Sequence, residues 1–78
     1  MTRDEALAVV REVLGGIAPD VDLALVAPDA DLRTEADLDS MDFLGLVEGI
    51  AGRTGVEIPE SDYPRVRSLD GLAAYLAG

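Results

Sequence analysis

Apolar residues recur at helical spacing in three separate stretches of this chain, and each stretch opens on a residue that caps helices. In the first, Ala6, Leu7, Val10, Val13, Leu14 and Ile17 share one face, while Arg3, Arg11 and Glu12 take the other. Thr2 followed by Glu5 fits a capping box, in which hydroxyl and carboxylate satisfy each other's backbone donors. Gly15-Gly16 is the expected stop, with Pro19 closing the segment. The second stretch is expected to begin at Asp39-Ser40 and to run to about Arg53. Asp39 stands as N-cap and Asp42 at the third helical position, beside the positive end of the dipole. Phe43, Leu46, Val47, Ile50 and Thr54 line one side, and Leu44 and Glu48 point elsewhere. Its glycines, Gly45, Gly49 and Gly52, each cost about 1 kcal/mol against alanine, so either something packs closely on them or the helix is soft. Ser68 caps the third stretch, with Leu69, Leu72, Ala73 and Leu76 on its inner side and Tyr75 nearby.

Between these stretches the signals weaken. Residues 18–38 form a long connection in which Pro19, Pro28 and the pairs Asp20/Asp22 and Asp29/Asp31 oppose a long helix. Leu23, Leu25, Val26 and Leu32 are its apolar anchors, with room for a short helical turn. Connections of this length are often functional. Val56-Glu57-Ile58-Pro59 reads as a brief extended link into a short element around Ser61 to Val66, where Pro64 fits only a first turn. The expectation is all-α: a four-helix bundle of three longer helices and one short one. At 78 residues, positions 1–78 make a single domain.

What the chain lacks narrows its chemistry. It has no cysteine, histidine, lysine or tryptophan. Disulfide, thiolate, imidazole and Schiff-base chemistry are therefore closed to its own side chains, and it offers zinc no ordinary ligand set. With sixteen acidic residues against six arginines, its net charge is −10. That field repels nucleic acid and anionic membranes and favours basic protein partners. The start is acidic rather than signal-like, and no apolar run approaches the roughly 20 residues that span a bilayer. A cytoplasmic monomer is the expectation.

Ser40 stands at a helix start, after Asp39 and before apolar Met41. Asp and Ser cap helices everywhere, so the pair alone says little. The run Leu38-Asp39-Ser40-Met41-Asp42, with Gly55-Val56-Glu57-Ile58-Pro59 downstream and Ser68-Leu69 and Tyr75 beyond, resembles the acyl carrier protein family. Its attachment motif is Asp-Ser-Leu, here with methionine for leucine. The resemblance implies that Ser40 is esterified by 4'-phosphopantetheine, transferred from coenzyme A by a phosphopantetheinyl transferase, with Asp39 assisting. A chain without cysteine would import its thiol on that arm. The phosphodiester would lie at a helix N-terminus, where free N–H groups favour an anion. Such a chain is a carrier and a substrate of partner enzymes rather than an enzyme.

The resemblance also assigns surfaces. Glu35, Asp37, Asp42 and Glu48, with Met41 and Leu44, are the expected partner-binding residues, facing basic patches on acyl-loading and acyl-transfer enzymes. Gly45, Ala51 and Gly52 stand where the family more often carries glutamates, which points to a specialised fatty-acid, lipid or polyketide pathway. Phe43, Leu46, Ile50, Ile58, Val66 and Leu72 are candidate walls of an acyl pocket, narrowed by Tyr63 where a small residue is common. The three pairs Asp20/Asp22, Asp29/Asp31 and Asp37/Asp39 match no calcium loop, so no metal site is expected. Two alternatives stay open: a peptidyl or aminoacyl carrier, and an unmodified acidic helical module that only binds another protein.

Overall fold

In a computed structural model that describes residues 1–78, the helical stretches become α1 (Arg3–Ile17), α3 (Ser40–Thr54) and α4 (Leu69–Ala77). A four-residue helix, α2 (Leu32–Glu35), and two 3-10 turns, Leu23–Leu25 and Glu60–Arg65, fill the connections, and there are no strands. The all-helical expectation holds.

Each long helix starts where a side chain accepts its free N–H groups. Thr2 Oγ1 accepts from the Glu5 amide at 3.1 Å while Glu5 returns the bond to Thr2 N at 2.9 Å. Those bonds from the Thr2 backbone and hydroxyl hold the Glu5 carboxyl below its ordinary pKa. Asp39 and Asp42 form a second capping box at α3. Ser68 Oγ accepts from Gly71 N at 3.0 Å to open α4. Gly55, at φ 74°, ends α3 in the left-handed conformation that suits glycine.

The end of α1 departs from expectation. The helix runs through Gly15 and Gly16 to Ile17, whose half-buried side chain packs against the core. Pro19 is the terminator: it disfavours helical geometry at Ala18, which sits at φ −129°, ψ 70°. Pro64 is the second correction, since it lies near the end of the Glu60–Arg65 turn and not in a first turn. A short 3-10 turn tolerates it because the bonds Asp62 N to Pro59 O and Val66 N to Tyr63 O use other donors.

α1 packs against both α3 and α4. Eighteen buried residues, all apolar, fill the space between the elements, with no buried polar side chain. The connection 18–38 is drawn over this core by Val26, Leu32, Ala36 and Leu38, all buried. Leu25, expected as an anchor, is instead 83% exposed. It closes a 3-10 turn that Asp22 caps, and the following residue, Val26, is the one turned inward. Asp22 and Asp31 serve as caps, each accepting from a backbone amide two residues on.

The glycine stripe of α3 is a close-approach surface at one position. A Cβ at Gly49 would stand 2.7 Å from Val13 Cγ1 on α1, one at Gly45 3.7 Å from Ile17 Cδ1, and Gly52 faces open space. Val13 is buried and stiff about χ1, so it has little room to yield. Gly49→Ala should therefore lose about 1 kcal/mol net, overpacking outweighing the gain in propensity. Gly52→Ala should gain about 0.5–1 kcal/mol. Urea unfolding of the two variants reads the opposite signs; stabilisation by both would show that α1 and α3 are not in close contact.

Tyr75 on α4 donates its hydroxyl to Asp62 Oδ2 at 2.7 Å. This bond stabilises the neutral phenol and raises its pKa above the ordinary 10.0, an effect added to by partial desolvation. The bond's contribution is complete below pH 10.0 and is lost as pH rises through the higher folded-state value. Tyrosinate absorbance should show Tyr75 titrating late in the wild type and returning toward the ordinary value in Asp62→Asn. Unchanged titration would mean the bond does not form in solution.

Candidate functional site

Ser40 is the first residue of α3, exposed, immediately after the cap. Asp39 Oδ1 accepts from Asp42 N at 2.8 Å, and Asp42 Oδ2 accepts from Asp39 N at 3.4 Å. This pair fixes where α3 begins and therefore where Ser40 points. Asp37, two residues before the cap, is the one non-glycine at positive φ, 55°. Aspartate tolerates that region better than most residues. The turn lets Leu38 enter the core while Asp39 and Ser40 stay outside.

The neighbour of Ser40 comes from a different element, seven residues earlier in the chain. Arg33 on α2 donates from Nη2 to Ser40 Oγ at 3.1 Å. It is the only basic residue between Asp29 and Glu48, which was its one visible signal. Asp31 arranges this corner with both oxygens: Oδ1 accepts from Arg33 N at 2.9 Å, and Oδ2 pairs with Arg67 Nη2 at 2.9 Å. Leu32 N donates to Arg67 O at 2.8 Å, tying α2 to the segment before α4. A groove of about 230 Å³ opens there, lined by Arg33, Phe43, Tyr63, Pro64 and Arg67. Its apolar side is the Tyr63 ring standing edge-on to Phe43, centroids 5.2 Å apart and planes at 73°.

The expected partner residues lie at the surface with one exception. Glu35, Asp37, Glu48, Met41 and Leu44 are exposed, and Asp42 is half-buried by its capping bond. Met41, at 74% exposure, stands next to Ser40 on the outer side of α3. Every expected pocket wall, Phe43, Leu46, Ile50, Ile58, Val66 and Leu72, is buried in the core. Phe43 also lines the groove beside Arg33, and Ile58 lines a second hollow of about 240 Å³ with Leu44, Val47, Glu48, Ala51, Glu57 and Tyr63. The other four line no surface hollow. No group of three or more carboxylates is placed to hold a metal ion, and no helix is long and apolar enough to cross a membrane.

An accessible hydroxyl at a helix start, beside a guanidinium and an open groove, fits a phosphodiester-linked arm. Residues 4–76 match the model of a family described as the phosphopantetheine attachment site. An acyl carrier protein of Streptomyces coelicolor is 31% identical over 97% of this chain and 85% of its own length. One from Rubrobacter xylanophilus is 26% identical over 97% of this chain and 93% of its own. A solution structure from Anaplasma phagocytophilum, assigned as an acyl carrier protein, superposes with a TM-score of 0.84 at 25% identity, covering 99% of this chain and 90% of that one. The chain belongs to the acyl carrier protein family, whose members carry intermediates on covalently attached 4'-phosphopantetheine.

Proposed function

We propose that Ser40 is the attachment residue and that residues 1–78 act as one carrier domain for a specialised fatty-acid, lipid or polyketide pathway. The observation that carries this is the placement of Ser40. Of the three serines, Ser68 uses its hydroxyl to cap α4 and is half-buried, and Ser61 lies within a 3-10 turn. Only Ser40 opens a long helix with its side chain outside, inside the matched residues. The arm supplies the thiol that the chain lacks; the chain's own residues position and surround its attachment point. Asp39 holds the helix start with Oδ1, while its other carboxylate oxygen has no protein partner and is open to a cation in a transferase complex. The transferase performs the chemistry.

Partner choice rests on exposed Glu35, Asp37 and Glu48 and half-buried Asp42, with Met41 and Leu44. Charges of this kind steer rapid, reversible encounters with basic surfaces, which suits a carrier that must leave each enzyme in turn. This set is poorer in acid along α3 than is usual, since Gly45, Ala51 and Gly52 intervene. The carrier is proposed to work as a cytoplasmic monomer with its own loading enzyme. The core walls Phe43, Leu46, Ile50, Ile58, Val66 and Leu72 are already closely packed, so an acyl chain entering among them has to part them. The deciding assay supplies holo-protein to a reconstituted general fatty-acid synthase and, separately, to aminoacyl-activating enzymes. Poor use by both supports a specialised acyl carrier. Efficient elongation by the general synthase, or efficient aminoacylation, would overturn that reading.

A further inference from the structure

Resting on the assignment of the arm to Ser40, we infer that Arg33 binds the phosphate of that arm and turns its first half into the groove between α2 and the Glu60–Arg65 turn. Four of the six arginines are spent on carboxylates: Arg3 with Asp70, Arg53 with Glu12, Arg65 with Asp62 and Arg67 with Asp31. Arg33, like Arg11, has no carboxylate partner, although the chain carries sixteen acidic residues. Its single side-chain hydrogen bond goes to Ser40 Oγ, the atom that becomes the ester oxygen. A guanidinium that reaches this oxygen at 3.1 Å also reaches oxygens on the phosphorus bonded to it.

The need for such a cation is local. Asp37, Asp39 and Asp42 flank Ser40 in the sequence, so an added phosphodiester enters an acidic stretch. The groove is lined by Arg33, Phe43, Tyr63, Pro64 and Arg67. Arg33 is the cation for the phosphate, and the aromatic and proline surface beside it suits the branched, methyl-bearing pantoyl unit. Asp31 accepts from the Arg33 backbone amide and pairs with the Arg67 guanidinium, so the two arginines meet at one carboxylate. Arg33 is therefore a positioning residue for the first half of the arm.

The test uses the whole protein, loaded by a broad phosphopantetheinyl transferase and confirmed by intact mass. Nuclear Overhauser contacts are then measured between the pantoyl methyls and the Tyr63 and Phe43 rings, with the Arg33 Nε–H signal followed from apo to holo. Contacts to both rings, a shifted Arg33 signal, and contact intensities that weaken as salt rises are expected. In Arg33→Gln the contacts should drop about two- to fivefold, the range for exposed charge pairs, with Arg33→Lys intermediate. Shifts confined to Ser40 and its immediate neighbours in the wild-type holo-protein, with no ring contacts, would overturn the inference while leaving the attachment site intact. A chain that gains no phosphopantetheine mass overturns the parent reading first and this inference with it.

Discussion

Gly71→Ala should destabilise the protein by about 3 kcal/mol, the upper end for overpacking, and lower its melting temperature by about 10–20 °C. A Cβ at this position would stand 2.4 Å from the carbonyl oxygen of Arg65 and 3.3 Å from Ser68 Oγ. The first of these is backbone, so no rotamer change relieves it. Either the Glu60–Arg65 turn moves away or the first turn of α4 unwinds. Both movements disturb the same seam, where Asp70 N donates to Pro28 O and the connection meets α4. Small domains of this length hold roughly 4–12 kcal/mol in total, so the loss is a large share. Thermal unfolding of the variant gives the number. A melting temperature within a degree or two of wild type would mean that α4 and the turn are farther apart than described.

Leu32→Ala should cost about 2–5 kcal/mol and loosen the attachment site as well. Leu32 is fully buried, yet it belongs to a helix of only four residues that has little stability of its own. Its side chain is what fastens α2 to the core, and Arg33 is the next residue. Truncating it leaves a cavity under α2 and removes the anchor that keeps Arg33 against Ser40. Urea unfolding measures the stability change, and the Arg33 Nε–H signal of the folded variant reports the second effect. Leu25→Ala is the contrast, since Leu25 is exposed and its loss should stay within about 0.5 kcal/mol. Equal losses at the two positions would contradict the described path of the connection.

The three long helices were legible because their information is local. Caps lie within three residues of the donors they satisfy, and the apolar period survives in α1, α3 and α4 alike. Ser40 was legible for the same reason, through Asp39, Asp42 and the motif around them. What escaped was set by contacts distant in sequence. The exit of α1 was read from Gly15-Gly16, but the packing of Ile17 carries the helix on until Pro19 forbids it. Leu25 and Val26 are equally apolar, and only the cap at Asp22 decides which one turns inward. Gly49 gave a hint of close packing without naming Val13, whereas Gly71 gave none, because its neighbour is a carbonyl. The Arg33–Ser40 bond depends on the whole course of residues 18–38 over the core, which no local pattern encodes.

That bond matters only if Ser40 carries the arm. The most direct measurement treats the folded protein with coenzyme A and a broad phosphopantetheinyl transferase, then takes intact and peptide masses. One phosphopantetheine on the peptide that holds Ser40, and none on Ser40→Ala with its helical spectrum unchanged, is the expected result. No addition to the folded wild type by several transferases, or addition at Ser61 or Ser68 instead, would contradict the account.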